Sequence, residues 1–363
     1  MNQIRPTTAH IDLERLRSNV DVLRGRMDPH VKLLAPVKGD AYGHGLVRVG
    51  RALEARVDAF GVALVEEGKA LRAAGVEKPI LCLGGVGHDG AETALAHRLT
   101  PLLFDLDSAE RLDRAAKARG VPVAVHLKVD TGMGRLGLAL HEWDRFLDRL
   151  ADHAWLRVEG ICTHFCAADE DETFTLEQAR RFETALEAAR TRAFMPSLVH
   201  MANSAAMLRF PQLHRDMVRP GLALYGVSPL STPVPGLQPV MRVTTQVLYV
   251  KNVPRGATVG YGRTWTAPRP TRLATLPVGY ADGYPRALSG RGEVVVHGRR
   301  CPVRGRVCMD LMMVDVTDVT TTVRPGDEIE LLGDGVTASE LAEQAGTIPY
   351  EILAGFSERV PRR

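Results

Sequence analysis

Val31-Lys-Leu-Leu-Ala-Pro-Val-Lys-Gly-Asp-Ala-Tyr-Gly-His-Gly45 joins a short apolar run to a turn of small residues, with one lysine, Lys38, at the junction. An apolar run of this length reads as a strand buried on both faces, and the glycines after it give a ligand close access to the backbone. Lysine is scarce here. Of 46 Lys+Arg only seven are Lys, at positions 32, 38, 69, 78, 117, 128 and 251, so ordinary positive charge comes from arginine. A lysine can lose its proton and attack a carbonyl to form a Schiff base, which arginine cannot do. Lys38 is therefore a candidate nucleophile, and a solvated strand-end lysine is the plain alternative.

Outward from that stretch the same pattern repeats. Leu13, Leu16, Val20 and Leu23 recur at helical spacing before it. Apolar runs follow at Ala59–Val65, Pro79–Leu83, Pro101–Phe104, Val123–Val129, Leu156–Thr163 and Leu198–Met201, with a weaker stretch at Asp216–Tyr225. Charged, Ala/Leu-rich segments of helical length, such as Ser108–Arg119 and Leu176–Arg192, lie between most of them. Eight such runs predict an α/β fold of the (β/α)8 barrel type, with a doubly wound sheet as the competitor. Beyond Tyr225 the texture changes. The segment from Ser228 to Gly236 reads as a Pro/Ser linker. Strand-like stretches follow at Val243–Val250, Thr271–Val278, Glu293–His297, Met312–Val316 and Glu328–Leu332, with one helix at Ala338–Ala345. The expected division is a barrel over residues 1–238 and a mostly β C-terminal domain over 239–363.

Composition narrows the function classes. A net charge of +3 over 363 residues argues against a nucleic-acid partner. No apolar run reaches the roughly 18 residues of a membrane span, and the first residues contain no apolar signal core. Five cysteines, at 82, 162, 166, 301 and 308, fit neither a disulfide framework nor a zinc site. A reduced, cytoplasmic protein without a metal is the expectation.

In a barrel, chemistry sits at the C-terminal ends of the strands, and the unusual residues fall there. Lys38 and Tyr42 follow the first run, Lys128, Asp130 and Arg135 the fifth, and His164 the sixth. Asn203 and Ser204 follow the seventh, and Arg219-Pro-Gly221 interrupts the eighth. Ser204 and the Gly221 backbone lie where barrels commonly bind phosphate. A Schiff-base lysine with a phosphate cradle suggests pyridoxal 5'-phosphate (PLP), whose ring is an electron sink.

Seven segments then carry a resemblance over essentially the whole chain. They are Val37-Lys-Gly-Asp-Ala-Tyr-Gly-His-Gly45, Leu127-Lys-Val-Asp-Thr-Gly-Met-Gly-Arg135, His200-Met-Ala-Asn-Ser204, Arg219-Pro-Gly-Leu-Ala-Leu-Tyr-Gly226, Val259-Gly-Tyr-Gly-Arg-Thr-Trp265, Gly279-Tyr-Ala-Asp-Gly-Tyr-Pro-Arg286 and Gly305-Arg-Val-Cys-Met-Asp310. In this order they resemble the bacterial alanine racemases. That resemblance implies a PLP-dependent isomerase that interconverts L- and D-alanine by a two-base mechanism and supplies D-alanine for peptidoglycan. It implies a homodimer in which Tyr261 of one subunit completes the site of the other.

The resemblance also implies roles. Lys38 would hold the cofactor and serve as the base on the D-side, and Tyr261 the base on the L-side, since racemisation needs a group on each face of the carbon. A tyrosine base needs its phenolate stabilised, and His164 and Arg219 fit that part. Arg219 would face the ring nitrogen. Having only donors, it would keep that nitrogen unprotonated and the electron sink weak. Arg135 would contact the cofactor and the substrate carboxylate, with Lys128 carbamylated to orient it. Tyr42, Ser204, Gly221 and Tyr350 would hold the phosphate, with Asn203 beside them. The Met309 amide would meet the substrate carboxylate, and Asp169, Tyr280 and Arg306 would line the entrance. Alternatives are a broader racemase acting on serine or lysine, a decarboxylase of related architecture, and a non-catalytic PLP-homeostasis protein. The last resembles the barrel alone, so the β-rich segment with Tyr261 argues against it.

Overall fold

The computed structural model of the chain describes residues 5–363. It divides into two compact units. One comprises Leu16–Ala41 and Leu46–Leu237, the other residues up to Arg15, Tyr42–Gly45 and Gln238–Arg363.

The first unit is the barrel. Its strands are β1 (Lys32–Pro36), β2 (Ala59–Val62), β3 (Ile80–Cys82), β4 (Thr100–Leu103), β5 (Val123–Asp130), β6 (Leu156–Cys162), β7 (Leu198–His200) and β8 (Met217–Val218). All are parallel, in the order β8-β1-β2-β3-β4-β5-β6-β7. The Asp216 amide donates to the Val199 carbonyl at 3.0 Å and the Arg219 amide to the Ala202 carbonyl at 2.9 Å, which brings β8 back to β7 and nearly closes the ring. Four residues of β1 and all of β2, β3 and β4 are buried, which is why they read as uninterrupted apolar runs. Leu34, Ala59, Leu81 and Met217, from β1, β2, β3 and β8, pack with Leu83 into one core cluster. Truncating a buried leucine such as Leu34 to alanine typically costs about 2–5 kcal/mol.

The helices between strands start and stop on local signals. Asp105 caps the helix Leu106–Arg119 by accepting from the Ser108 amide at 2.6 Å, and Gly120 ends it in the left-handed conformation. Asp171 caps Glu172–Thr191 through the Phe174 amide at 2.9 Å. The eighth run departs from the sequence pattern. Only Met217–Val218 is strand, and Leu222–Tyr225 is a 3-10 turn. Pro220 removes a backbone donor just where the ladder would continue.

The second unit is built on an eight-stranded sheet. Its order is Thr8–Ile11, Met241–Gln246, Glu328–Leu332, Glu293–Val296, Arg299–Arg304, Met312–Asp315, Thr271–Leu276, Tyr249–Val253. Thr8–Ile11 runs antiparallel to Met241–Gln246. The expected stretch Val243–Val250 is two strands, and Arg299–Arg304 is a further one. The helix Ala338–Ala345 is capped by Thr337 with Glu340 in a reciprocal capping box.

Candidate active site

On the barrel unit, Lys38 opens a six-residue helical turn, Lys38–Gly43, of unusual hand. Gly39, Asp40, Ala41, Tyr42 and Gly43 all have positive φ, at 63°, 53°, 54°, 54° and 80°. A left-handed turn costs a non-glycine residue roughly 1–2 kcal/mol, so Asp40, Ala41 and Tyr42 need outside support. On the barrel side, Glu67 Oε1 accepts from the Gly39 amide at 2.7 Å, and Asp40 Oδ1 accepts from the Leu46 amide at 2.7 Å. The turn leaves Lys38 half-buried. Burial, then the charge of Arg135, lower its pKa from the usual lysine value. Glu67 opposes that shift, and Arg219 reinforces it.

The loop after β5 is organised by Asp130. Its Oδ1 accepts from the amides of Gly132, Met133 and Gly134 at 2.9, 2.9 and 3.2 Å, and its Oδ2 from Gly134 at 2.9 Å. A side chain at Gly137, where φ is 123°, would meet the Asp130 nitrogen at 2.7 Å. The loop presents Arg135 at the surface. Lys128, two residues before Asp130, is 6% exposed, and burial lowers its pKa. Behind this loop the fully buried Gln178 donates to Thr131 Oγ1 and to the His164 carbonyl, each at 3.2 Å, and accepts from the Cys166 amide at 3.1 Å.

Arg219 is the centre of the barrel's polar cluster. It is 7% exposed. Its Nη1 donates to His200 Nδ1 at 2.6 Å, and its Nη2 to the carbonyls of Thr163 and Met201 at 2.8 and 3.1 Å, with His164 Nδ1 at 3.4 Å. Among the described residues no carboxylate pairs with it. Burial, then the cations Arg219, Lys128, Arg135 and Lys38, push the pKa of His164 well below the ordinary histidine value. Ser204 is buried, and its Oγ accepts from the Ala223 amide at 3.4 Å, which ties it to the turn after Gly221. Asn203 caps the helix Ser204–Arg209 by accepting from the Ala206 amide at 3.0 Å and donates to the Phe165 carbonyl at 3.3 Å. Its side chain supports the Ser204 turn. Cys162, the last residue of β6, is buried, and Cys166 in the loop beyond it is exposed. Asp169 is exposed in the loop that follows.

The β unit carries the other sequence-predicted residues. Tyr42 is buried with its ring 5.8 Å from that of Tyr350, and burial, then Tyr350, push its phenol above the ordinary range. Tyr261 is 72% exposed between Gly260 and Gly262, whose φ values are 73° and 70°. A Cβ on Gly262 would sit 3.2 Å from the Arg306 guanidinium, so the Gly-Tyr-Gly turn lies against Arg306. The Met309 loop is pinned by the Tyr280 amide on the Cys308 carbonyl and the Ala281 amide on the Met309 carbonyl, each at 3.0 Å. Gly279 permits this contact, since a Cβ there would lie 2.2 Å from the Cys308 oxygen.

Two family models cover nearly the whole chain. "Alanine racemase, N-terminal domain" matches residues 11–229, and "Alanine racemase, C-terminal domain" matches residues 240–363. The chain belongs to the alanine racemase family. The alanine racemase of Geobacter sulfurreducens is 46% identical, with 99% of this chain and 97% of the relative aligned. The solved alanine racemase of Streptomyces coelicolor superposes with a TM-score of 0.94 at 40% identity, covering 99% of this chain and 98% of that one. The alanine racemase of Bartonella henselae, solved with covalently bound pyridoxal phosphate, gives 0.90 at 31% identity over 99% of both chains.

Members of the alanine racemase family are PLP-dependent isomerases of amino acids, and the barrel residues fit that cofactor. Lys38 is a half-buried amine whose pKa is lowered, as a carbonyl-attacking lysine requires. Arg219 is a buried, donor-only group, suited to an acceptor nitrogen. Residues that sequence reasoning passed over are Glu67, Gln178 and the amide-binding role of Asp130. Only the last had a local sign, an aspartate two residues before a glycine-rich turn.

Proposed function

We propose that this chain interconverts L- and D-alanine by moving the Cα proton between two opposed bases, Lys38 and Tyr261 of the partner subunit. When bound, PLP supplies a conjugated ring that accepts the electron pair left at Cα. Arg219 carries the reading. It is a buried donor with no carboxylate partner among the described residues, so it offers the ring nitrogen a hydrogen bond only an unprotonated nitrogen can accept. That limits how far charge leaves Cα and favours return of the proton there over transamination.

Lys38 takes or returns the proton on one face, its lowered pKa raising the fraction of free amine. His164 accepts from Arg219 at Nδ1, so its proton sits on Nε2. It can donate from there to a phenolate, the support a tyrosine base needs. Arg135, on the Asp130-ordered loop, takes the substrate carboxylate, joined by the Met309 amide. Lys128 is carbamylated, for which a deprotonated amine is the first requirement. Ser204 and the Gly221 amide hold the phosphate, with the hydroxyls of Tyr42 and Tyr350. Asp169, Tyr280 and Arg306 serve the entrance.

The working form is a homodimer. Tyr261, Met309, Tyr280 and Leu311 are 72%, 53%, 43% and 38% exposed in the single chain, an accumulation of large groups that a partner would cover. The protein acts in the cytoplasm and supplies D-alanine to peptidoglycan. The test is D-enantiomer formation by the PLP-loaded protein from L-alanine, L-serine and L-lysine, read with D-amino-acid oxidase. The largest kcat/KM is expected for alanine. A larger value for serine or lysine overturns the substrate assignment.

A further inference from the structure

We infer that Glu159 and His126 are positioning residues for Arg219, acting through two one-way hydrogen bonds inside the barrel and the charge of the Glu159 carboxylate that faces their far end. Arg219 Nη1 lies 2.6 Å from His200 Nδ1 and His200 Nε2 lies 2.8 Å from His126 Nδ1, both hydrogen-bond distances. His126 Nε2, buried and with no hydrogen-bond partner among the described residues, faces Glu159 Oε2 at 3.6 Å, an electrostatic contact longer than a hydrogen bond. Both imidazoles are fully buried, and Glu159 is 26% exposed at the far end.

The two ends fix the protons in between. A guanidinium only donates and a carboxylate only accepts. Arg219 therefore fills Nδ1 of His200, whose proton must sit on Nε2. That proton fills Nδ1 of His126, whose own proton must again sit on Nε2, directed at Glu159. Neither histidine can take a second proton without breaking a link and placing a cation beside Arg219. Burial, the first cause in each case, keeps both below the ordinary histidine pKa, and His126 in turn holds the Glu159 carboxyl below the usual carboxylate range.

Two backbone features are built for this line. The β5–β6 register pairs Val125 with Val158 but His126 with Gly160, so Glu159 is the extra residue of a bulge. A bulge re-aims a side chain, and here Oε2 is brought to His126 while Oε1 meets Arg157 at 3.3 Å. The residue after it must be glycine, because a Cβ at Gly160 would sit 2.4 Å from His126 Nδ1. The line also answers an electrostatic need. A buried guanidinium without a carboxylate partner is costly, and this relay ends in one.

Its effect on the cofactor rests on the function proposed above; the proton placement does not. The experiment is long-range 1H–15N NMR of the histidines in the full-length holoenzyme and in Glu159→Gln and Glu159→Leu. In the parent, His126 and His200 should both be neutral with the proton on Nε2. Gln retains an acceptor and should preserve this pattern. Leu should redistribute the proton of His126 between its nitrogens and lower kcat for alanine about tenfold at unchanged KM, the scale of one hydrogen bond to a charged group. A proton on Nδ1 of either histidine in the parent overturns the inference, even if no variant folds. So does an unchanged His126 tautomer in Glu159→Leu. A parent protein with the expected tautomers but no racemisation would refute the proposed function and leave the relay standing.

Discussion

Glu67 holds the Gly39 amide at 2.7 Å, and this contact joins the turn that presents Lys38 to the N-terminus of the helix Val65–Ala73. The same carboxylate accepts from the amides of Ala63 and Leu64 at 2.8 and 3.1 Å, so one side chain serves two loops. Glu67→Ala leaves three amides without their charged acceptor. The expected loss is about 1–3 kcal/mol of unfolding free energy, read as a lower urea midpoint. Because the left-handed turn is held from outside, PLP affinity should fall with it. A midpoint equal to the parent's would show that the turn holds its own conformation.

Lys38 should titrate below the ordinary lysine range, since burial is the first cause of its shift and Arg135 the second. The sign for each neighbour differs. Removing the positive charge in Arg135→Gln should move the Lys38 titration to higher pH, and removing the negative charge in Glu67→Gln should move it to lower pH. Reductive 13C-methylation of the cofactor-free protein, followed by the NMR pH titration of the Lys38 resonance, checks both. Equal direction in the two variants would contradict the electrostatic account.

The parts of this molecule that were legible in its sequence are those written in local patterns. β1 to β4 are short and buried, so each reads as an apolar run bounded by polar helical segments. The strand Arg299–Arg304 was not legible, because Arg299, Arg300, Pro302 and Arg304 hide the alternation of its buried Cys301 and Val303. Lys38 stood out by scarcity, and Arg219 and Tyr261 by the segments around them. Glu67, Gln178 and Glu159 carry no such mark. They are ordinary residues of a helix or strand, and their importance arises from amides and imidazoles that only folding brings beside them.

Tyr261 sits between two glycines of positive φ, the second of which lies against Arg306, so its replacement by phenylalanine should leave the turn in place. With Tyr261 in its proposed role as the L-side base, Tyr261→Phe should slow proton removal from L-alanine far more than from D-alanine. Deuterium wash-in from each enantiomer separates the two. A small, equal loss in both directions would remove Tyr261 from that role.

Arg219→Glu tests the weak electron sink directly. A carboxylate at this position would favour a protonated ring nitrogen and draw charge further from Cα, so pyruvate from transamination should rise relative to racemisation. The substitution also removes the donors to the carbonyls of Thr163 and Met201 and puts a carboxylate beside His200, whose pKa should then rise because an anion replaces a cation. Arg219→Lys is the control, since it retains the positive charge but loses the guanidinium fork. It should lower activity without raising the pyruvate ratio. An equal ratio in the parent, the Glu variant and the Lys variant would mean that residue 219 does not set the fate of the Cα electron pair and would overturn its proposed role at the ring nitrogen.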